Sequence, residues 1–345
     1  MFFSLHVAMV FYRFTPRGAV KHLNLNMYFS ITNNSKQTIE IPRIVINSHG
    51  VYQRANSFTK KSFKKQTKIA GLYRAIQMVD LTTLEGMDTD AKVSQLCQKA
   101  MNPLPIELCG EIKNHPNFLP IPSVAAVCVY PKFVELAKSI VKDSGVQVAA
   151  VSTAFPSGQL DLDLKLSDVT RAVEHGADEI DMVIDRDAYL RGDYQKVFSE
   201  IEQVKEICGE TAHLKVILET SEIESFDEIY FASQLAMYAG ADFIKTSTGK
   251  ASAGASLPIT LVMLYSIVDF YNSTGKIVGM KPAGGIRTAK QALQFLWMVK
   301  EVLGPQWLVP ELFRFGASSL LNDLLRQICK QFSGDYFVST HFSQD

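Results

Sequence analysis

Asp242-Phe-Ile-Lys245-Thr-Ser-Thr-Gly-Lys250 reads as a short buried strand that ends in a turn, with a lysine set inside it. Side chains alternate along a strand, so Phe243, Lys245 and Ser247 share one face while Ile244 and Thr246 share the other. Lysine is a poor strand former and costly to bury, so by itself Lys245 would read as a rim residue. A second run changes that reading. Val278-Gly-Met-Lys281-Pro-Ala-Gly-Gly285 places another lysine at the equivalent depth of the following strand.

Outward from these two runs, β-branched apolar stretches alternate with longer amphipathic ones. The strand candidates are 76–81, 124–130, 146–152, 179–184, 213–219, 243–247, 277–281 and 312–315. Helix-like stretches lie near 88–101, 131–143, 161–175, 193–208, 223–239, 258–274, 288–303 and 318–332, with start signals at Asp88–Thr89, Pro131, Ser167, Pro258 and Thr288. Eight strand-plus-helix units in alternation predict an α/β fold, a TIM (β/α)8 barrel, whose strands close on themselves. An open doubly wound sheet would call for a Gly-x-Gly-x-x-Gly turn after the first strand, and the sequence has none there. The barrel is expected over residues 46–335, behind an N-terminal helical extension (1–45) and ahead of a C-terminal tail (336–345).

The 345 residues carry 35 basic and 35 acidic side chains, so no global cationic footprint points to nucleic acid. Lys60, Lys61, Lys64, Lys65 and Lys68 form one basic cluster, read as a solvated helix face. The cysteines (Cys97, Cys109, Cys128, Cys208 and Cys329) show neither a disulfide framework nor a zinc spacing, which fits a reducing compartment. No uncharged apolar run approaches the ~20 residues that cross a bilayer, so no membrane association is expected. Residues 1–39 lack Asp and Glu and open on an apolar stretch followed by basic residues, the reverse of a signal peptide. A cytoplasmic location is expected, with organelle targeting left open by that segment.

Barrel interiors are filled by side chains, so charged residues inside strands need a reason. Neighbouring strands lie ~4.8 Å apart. At ~5 Å and an effective dielectric of ~20, two ammonium groups repel by about 3 kcal/mol. Desolvation acts in the same direction, so Lys245 is drawn from the ordinary lysine range toward neutrality, where the free amine attacks carbonyls. Asp181, in Glu179-Ile-Asp-Met-Val183, either neutralises the lysine pair or carries protons for the same chemistry. Lys215 reads as a supporting charge. Gly284-Gly285 and Gly316-Ala-Ser-Ser319 each follow a strand and precede a helix, as phosphate-binding loops do.

Together these segments resemble deoxyribose-phosphate aldolase. Matching runs are Asp80-Leu-Thr-Thr-Leu84, Ala126-Val-Cys-Val-Tyr-Pro131, Phe155-Pro-Ser-Gly158, Glu179–Val183, Phe243–Lys250, Lys281–Gly285 and Phe315-Gly-Ala-Ser-Ser319. The resemblance implies a class I aldolase that cleaves 2-deoxy-D-ribose 5-phosphate into acetaldehyde and D-glyceraldehyde 3-phosphate, with no metal or cofactor. Small phosphosugar and aldehyde substrates and a homo-oligomer are the implied partners. By motif position, Lys245 would form the imine, Lys281 would lower its pKa and Asp181 would relay protons. Gly249, Gly284, Gly285, Gly316, Ser318 and Ser319 would line the phosphate site. Asp80, Thr82, Leu84 and Lys250 would line the sugar portion, with Cys128 beneath the pocket.

The chain departs from the family pattern in places. Members commonly read Lys-x-x-Val-Asn-Ala-Thr after the Schiff-base strand, where this chain has Lys250-Ala-Ser-Ala-Gly-Ala-Ser256, with Gly254 replacing Asn. Thr220-Ser-Glu222 stands for Thr-Gly-Glu, Ala154 for the glycine before Phe-Pro, and Tyr336 is the candidate stand-in for a C-terminal tyrosine. Two rival readings compete: a phosphosugar-binding barrel without turnover, and a different class I or transaldolase-like enzyme. Intact Lys245, Lys281 and Asp181 weigh against the first, and the Lys-Pro-Ala-Gly-Gly run against the second.

Overall fold

The computed structural model describes residues 27–105, 115 and 118–334. The first 26 residues, Cys109 and the tail from 335 on, Tyr336 included, lie outside the described residues. Where the extension is described it is a hairpin, not a helix: β1 (Met27–Thr32) pairs antiparallel with β2 (Thr38–Arg43). Alternation explains it, since Phe29 and Ile31 on one strand and Ile39 and Ile41 on the other flank an Asn33-Asn34-Ser35 turn. Among the described residues, helical structure begins after the hairpin, with α1 (Ser48–Thr59) and α2 (Lys65–Gln77).

Eight parallel strands then alternate with helices, as the sequence predicts. They are β3 (Val79–Thr82), β4 (Ala126–Val129), β5 (Gln147–Ser152), β6 (Glu179–Val183), β7 (His213–Ile217), β8 (Phe243–Lys245), β9 (Gly279–Lys281) and β10 (Phe315–Ala317). Their order in the sheet is β10-β3-β4-β5-β6-β7-β8-β9. Parallel bridges Met280–Phe313 and Ala283–Gly316 join β9 to β10 and close the ring. Between the strands run α3 (Asp90–Met101), α4 (Val134–Val141), α5 (Leu162–Glu174), α6 (Arg186–Leu190) and α7 (Tyr194–Cys208). α8 (Phe226–Tyr238), α9 (Leu257–Thr274), α10 (Ala289–Val302) and α11 (Leu320–Ser333) complete the outer shell.

The helices begin where local chemistry satisfies their free N–H groups. Thr89 accepts from Lys92 N, Ser256 from Ile259 N ahead of Pro258, and Thr288 with Gln291 makes a reciprocal capping box. Ser167 is not a start: α5 opens after Asp161, and Ser167 sits inside it.

Helix α8 is buried from Ile229 through Met237, far more than one core-facing stripe requires. The hairpin accounts for part of that. Phe29 meets the edges of Tyr194 and Phe231, with ring centroids 5.2 and 5.8 Å apart. The Arg43 guanidinium lies over Phe231 at 4.2 Å and donates to both carboxylate oxygens of Glu228 at 2.8 and 3.0 Å. A stacked cation whose Nη2 is also shared between both oxygens of a carboxylate fixes the hairpin against α7 and α8.

Replacing Arg43 with alanine is therefore expected to cost about 1–2 kcal/mol, read as a lower denaturant midpoint at unchanged slope. An unaltered midpoint would show that the hairpin clamp contributes nothing.

Candidate active site

Strand register sets the site. Lys245 is paired with Lys281 across β8 and β9, and Asp181 with Lys215 across β6 and β7. All four side chains point inward and are buried, Lys245 at 3% exposure and the others at 0%. Asp181 is the hinge of the group: its Oδ2 accepts from Lys245 Nζ at 2.6 Å and from Lys281 Nζ at 2.7 Å, and its Oδ1 from Lys215 Nζ at 3.2 Å. Lys281 Nζ also lies 2.5 Å from Asp80 Oδ2. Lower in the barrel, Arg314 bridges Asp80 and Glu179 at 2.7 Å each, and Lys215 donates to Glu179. Phe243 packs over Gly279, its register partner, where any Cβ would fall 2.4–2.6 Å from the ring; glycine is required there by close approach.

The layer thus sets the cations Lys215, Lys245, Lys281 and Arg314 against the carboxylates Asp80, Glu179 and Asp181. Formal cations exceed formal carboxylates by one, and burial disfavours an excess charge. The effect is felt at Lys245. Burial pushes its ammonium below the ordinary lysine range; Asp181 opposes the shift and Lys281 adds to it. Desolvation therefore outweighs the like-charge repulsion that the sequence suggests as a cause. Lys281 moves the other way: burial disfavours its charge, but Asp181 and Asp80 hold it protonated above the usual range. Burial would raise Asp181, yet Lys215, Lys245 and Lys281 together keep it well below the carboxylate norm.

Above the layer a pocket of about 350 Å³ opens at the C-terminal ends of the strands. Lys245 reaches its wall, and so do Thr82, Leu84, Gly249, Lys250, Gly284 and Gly285. Gly316, Ser318 and Ser319 close the side where α11 begins. Its loops are pinned from behind. Thr248 N and Oγ1 donate to the buried Glu219, at 3.2 and 2.5 Å, and Ser247 Oγ donates to Ala283 O at 2.6 Å. Backbone N–H groups, small side chains and a helix N-terminus facing one hollow suit an anion.

The structure brings most of the sequence-derived residues to this end of the barrel. Asp80 differs: it does not line the sugar pocket but lies fully buried in the charged layer, because Arg314 and Lys281 hold its carboxylate there. Cys128 is buried close to Lys245 and Lys281, beneath the pocket, and burial pushes its thiol up. Sequence reading passed over Arg314 and Glu179 in the layer and Lys92, Glu85 and Arg287 on the pocket wall. Arg314 and Glu179 carried the same signal as the lysines, a charge inside a strand run.

The departures from the family pattern have local explanations. A Cβ on Gly254 would stand 2.3–2.7 Å from the Gly284 backbone, so the loop that lost its asparagine now packs directly on the anion loop. Ala255 N donates to both Ala283 O and Gly284 O at 3.0 Å. Ala154 is at φ 59°, in the left-handed region where glycine is relaxed and alanine costs about 1 kcal/mol. After β7 the positive φ belongs to Glu219, at 52°, and not to Ser221, which explains why serine is accepted.

Among the described residues no cluster of three or more His, Cys, Asp or Glu side chains is placed to hold a metal. Among them, too, no helix is long and apolar enough to cross a membrane.

The family described as DeoC/LacD family aldolase matches residues 74–326. A deoxyribose-phosphate aldolase from Mus musculus is 46% identical over 299 residues, covering 86% of this chain and 93% of that one. The Homo sapiens deoxyribose-phosphate aldolase is 45% identical over the same shares. Among solved structures, the tetrameric deoxyribose phosphate aldolase from Aeropyrum pernix has a TM-score of 0.54 at 22% identity, covering 77% of this chain and 98% of that one. That likeness concerns the fold. The aldolase QR15 has a TM-score of 0.57 at 27% identity, with 73% and 96% covered.

Two outcomes are expected. Lys281→Met removes a charge that depresses Lys245, so the acid limb of borohydride trapping should move to higher pH. An unmoved limb would remove Lys281 from the control of Lys245. Gly254→Asn should push the Gly284 loop outward and raise KM for a phosphorylated substrate by about tenfold or more, with kcat less affected. An unchanged KM would show that the two loops do not depend on each other.

Proposed function

The chain belongs to the DeoC/LacD family of aldolases, and on that footing we propose that it is a class I deoxyribose-phosphate aldolase. It reversibly cleaves 2-deoxy-D-ribose 5-phosphate to acetaldehyde and D-glyceraldehyde 3-phosphate. The observation that carries this reading is Lys245, the member of the charged layer that meets the pocket wall, with its ionisation depressed and Asp181 2.6 Å away.

The Lys245 amine adds to the C1 aldehyde of the open-chain sugar, and the carbinolamine loses water to give an imine. The protonated imine draws the C2–C3 bonding electrons toward nitrogen as the C3 hydroxyl gives up its proton. Glyceraldehyde 3-phosphate departs, leaving an enamine. Protonation at C2 and hydrolysis then release acetaldehyde and restore the amine. Asp181 and Lys281 are suited to exchange these protons, because both already share hydrogen bonds with Lys245 or with each other. The phosphate would be met by Gly249, Gly284, Gly285, Gly316, Ser318 and Ser319, with Lys250 as the nearby cation. Thr82 and Leu84 would face the sugar carbons, and the buried Cys128 would keep the floor apolar.

The reading extends to a cytoplasmic enzyme of deoxyribose phosphate catabolism, with small-molecule substrates, no nucleic-acid or membrane partner, and a homo-oligomeric assembly. The catalytic unit is taken as residues 46–335, with 1–45 an extension and 336–345 a tail. Support comes from the buried cysteines Cys97, Cys128 and Cys208 among the described residues, none of them in a disulfide, and from the balanced charge.

Borohydride reduction with 2-deoxy-D-ribose 5-phosphate, followed by peptide mass mapping, should place the adduct on Lys245, and Lys245→Met should abolish it. Folded protein that shows no adduct, or an adduct only elsewhere, would sink this assignment.

A further inference from the structure

We propose that Glu85 is the counter-ion of the anion site: it holds Lys250 across the pocket mouth, yields it to an arriving phosphate and takes it back on release. The proposal rests on the phosphate reading of the pocket given above and names a residue that sets its affinity.

Glu85 Oε1 and Lys250 Nζ are 2.8 Å apart, although the two residues belong to loops after β3 and β8. Both stand on the wall of the pocket that also presents Gly284, Gly285, Ser318 and Ser319. Their backbones are fixed while their side chains are not. On one side Glu85 N donates to Asp88 Oδ2 at 2.9 Å, and Asp88 is itself held by Thr83 and Lys92. On the other, Lys250 N donates to Thr248 Oγ1 at 3.1 Å, and Thr248 is anchored on Glu219. The side chains span the gap at 58% and 31% exposure. Such an ion pair contributes little net stability and is readily exchanged.

Charge decides what the exchange does. Around the mouth stand Lys92, Lys250, Arg287 and the carboxylate of Glu85, and Lys92 is already committed to Asp88 at 2.9 Å. In the resting protein, then, the cation best placed over the glycine loops is neutralised by a carboxylate on the opposite rim. A phosphate dianion offers Lys250 twice the charge, with backbone donors holding its other oxygens. Glu85 thereby weakens phosphate binding and speeds its departure. Removing its charge should tighten the site selectively for phosphorylated molecules.

The test compares the full-length protein with Glu85→Gln. KM for 2-deoxy-D-ribose 5-phosphate and the inhibition constant for inorganic phosphate are expected to fall together, by about three- to tenfold at low salt. The gain in kcat/KM should be smaller for unphosphorylated 2-deoxy-D-ribose than for the phosphorylated sugar. In a Lys250→Met background the same substitution should bring little further gain. Equal or weaker phosphate affinity in Glu85→Gln, or a full gain persisting without Lys250, would overturn the exchange. Calorimetric titration of inorganic phosphate reads the site without turnover, so it separates this outcome from failure of the aldolase reading, which the missing Lys245 adduct would reveal.

Discussion

Asp181 is shared by Lys245 and Lys281 deep inside the barrel, where all three are buried, and the interior is organised around that shared carboxylate. Charges in such a place are tolerated only when paired and hydrogen-bonded, and removing one partner of a buried pair costs about 3–5 kcal/mol. Asp80, Glu179, Lys215 and Arg314 extend the pairing downward until each charge has an opposite neighbour. Three carboxylates cannot balance four cations. The burial that keeps the core intact also lowers the hold of Lys245 on its proton. Catalytic readiness here is a property of the whole layer, and Lys245 is where it emerges.

The strands were legible because most are short apolar runs, several rich in β-branched residues, bounded by turn chemistry, and a strand buried on both faces needs little else. Their ends were less so. The run 213–219 was read as one strand, whereas β7 stops at Ile217, because apolar residues continue into the loop where Glu219 turns to a positive φ. The hairpin was missed although Phe29, Ile31, Ile39 and Ile41 alternate about an Asn-Asn-Ser turn. An unusual composition in the preceding residues drew attention away from a short, clear period-2 signal.

The centre of the site was legible for a different reason. A lysine or aspartate inside an apolar strand run is a conflict that structure alone does not resolve, and Lys245, Lys281 and Asp181 each presented one. Arg314 and Glu179 presented it too and belong to the same layer. The rim could not be read. Glu85, Lys92 and Arg287 meet only because loops from separate strands converge, and single-sequence patterns hold no trace of that convergence. Asp80 illustrates the limit from the other side: its motif was recognisable, but its depth, and so its partner, came from the fold.

The place of Lys245 above the Arg314 bridge between Asp80 and Glu179 has a consequence for the order of events. The bridge fills the barrel below the charged layer, while the pocket that Lys245 meets opens above it. In the proposed cleavage the two-carbon fragment is tethered at the bottom of this pocket, while the phosphorylated fragment lies above it. The larger product must vacate first, and the smaller follows only after hydrolysis. Run in reverse, the small aldehyde has to load before the phosphorylated one. With the small fragment bound to Lys245 beneath the phosphorylated one, the proposed chemistry would impose a strict sequence on traffic through the pocket.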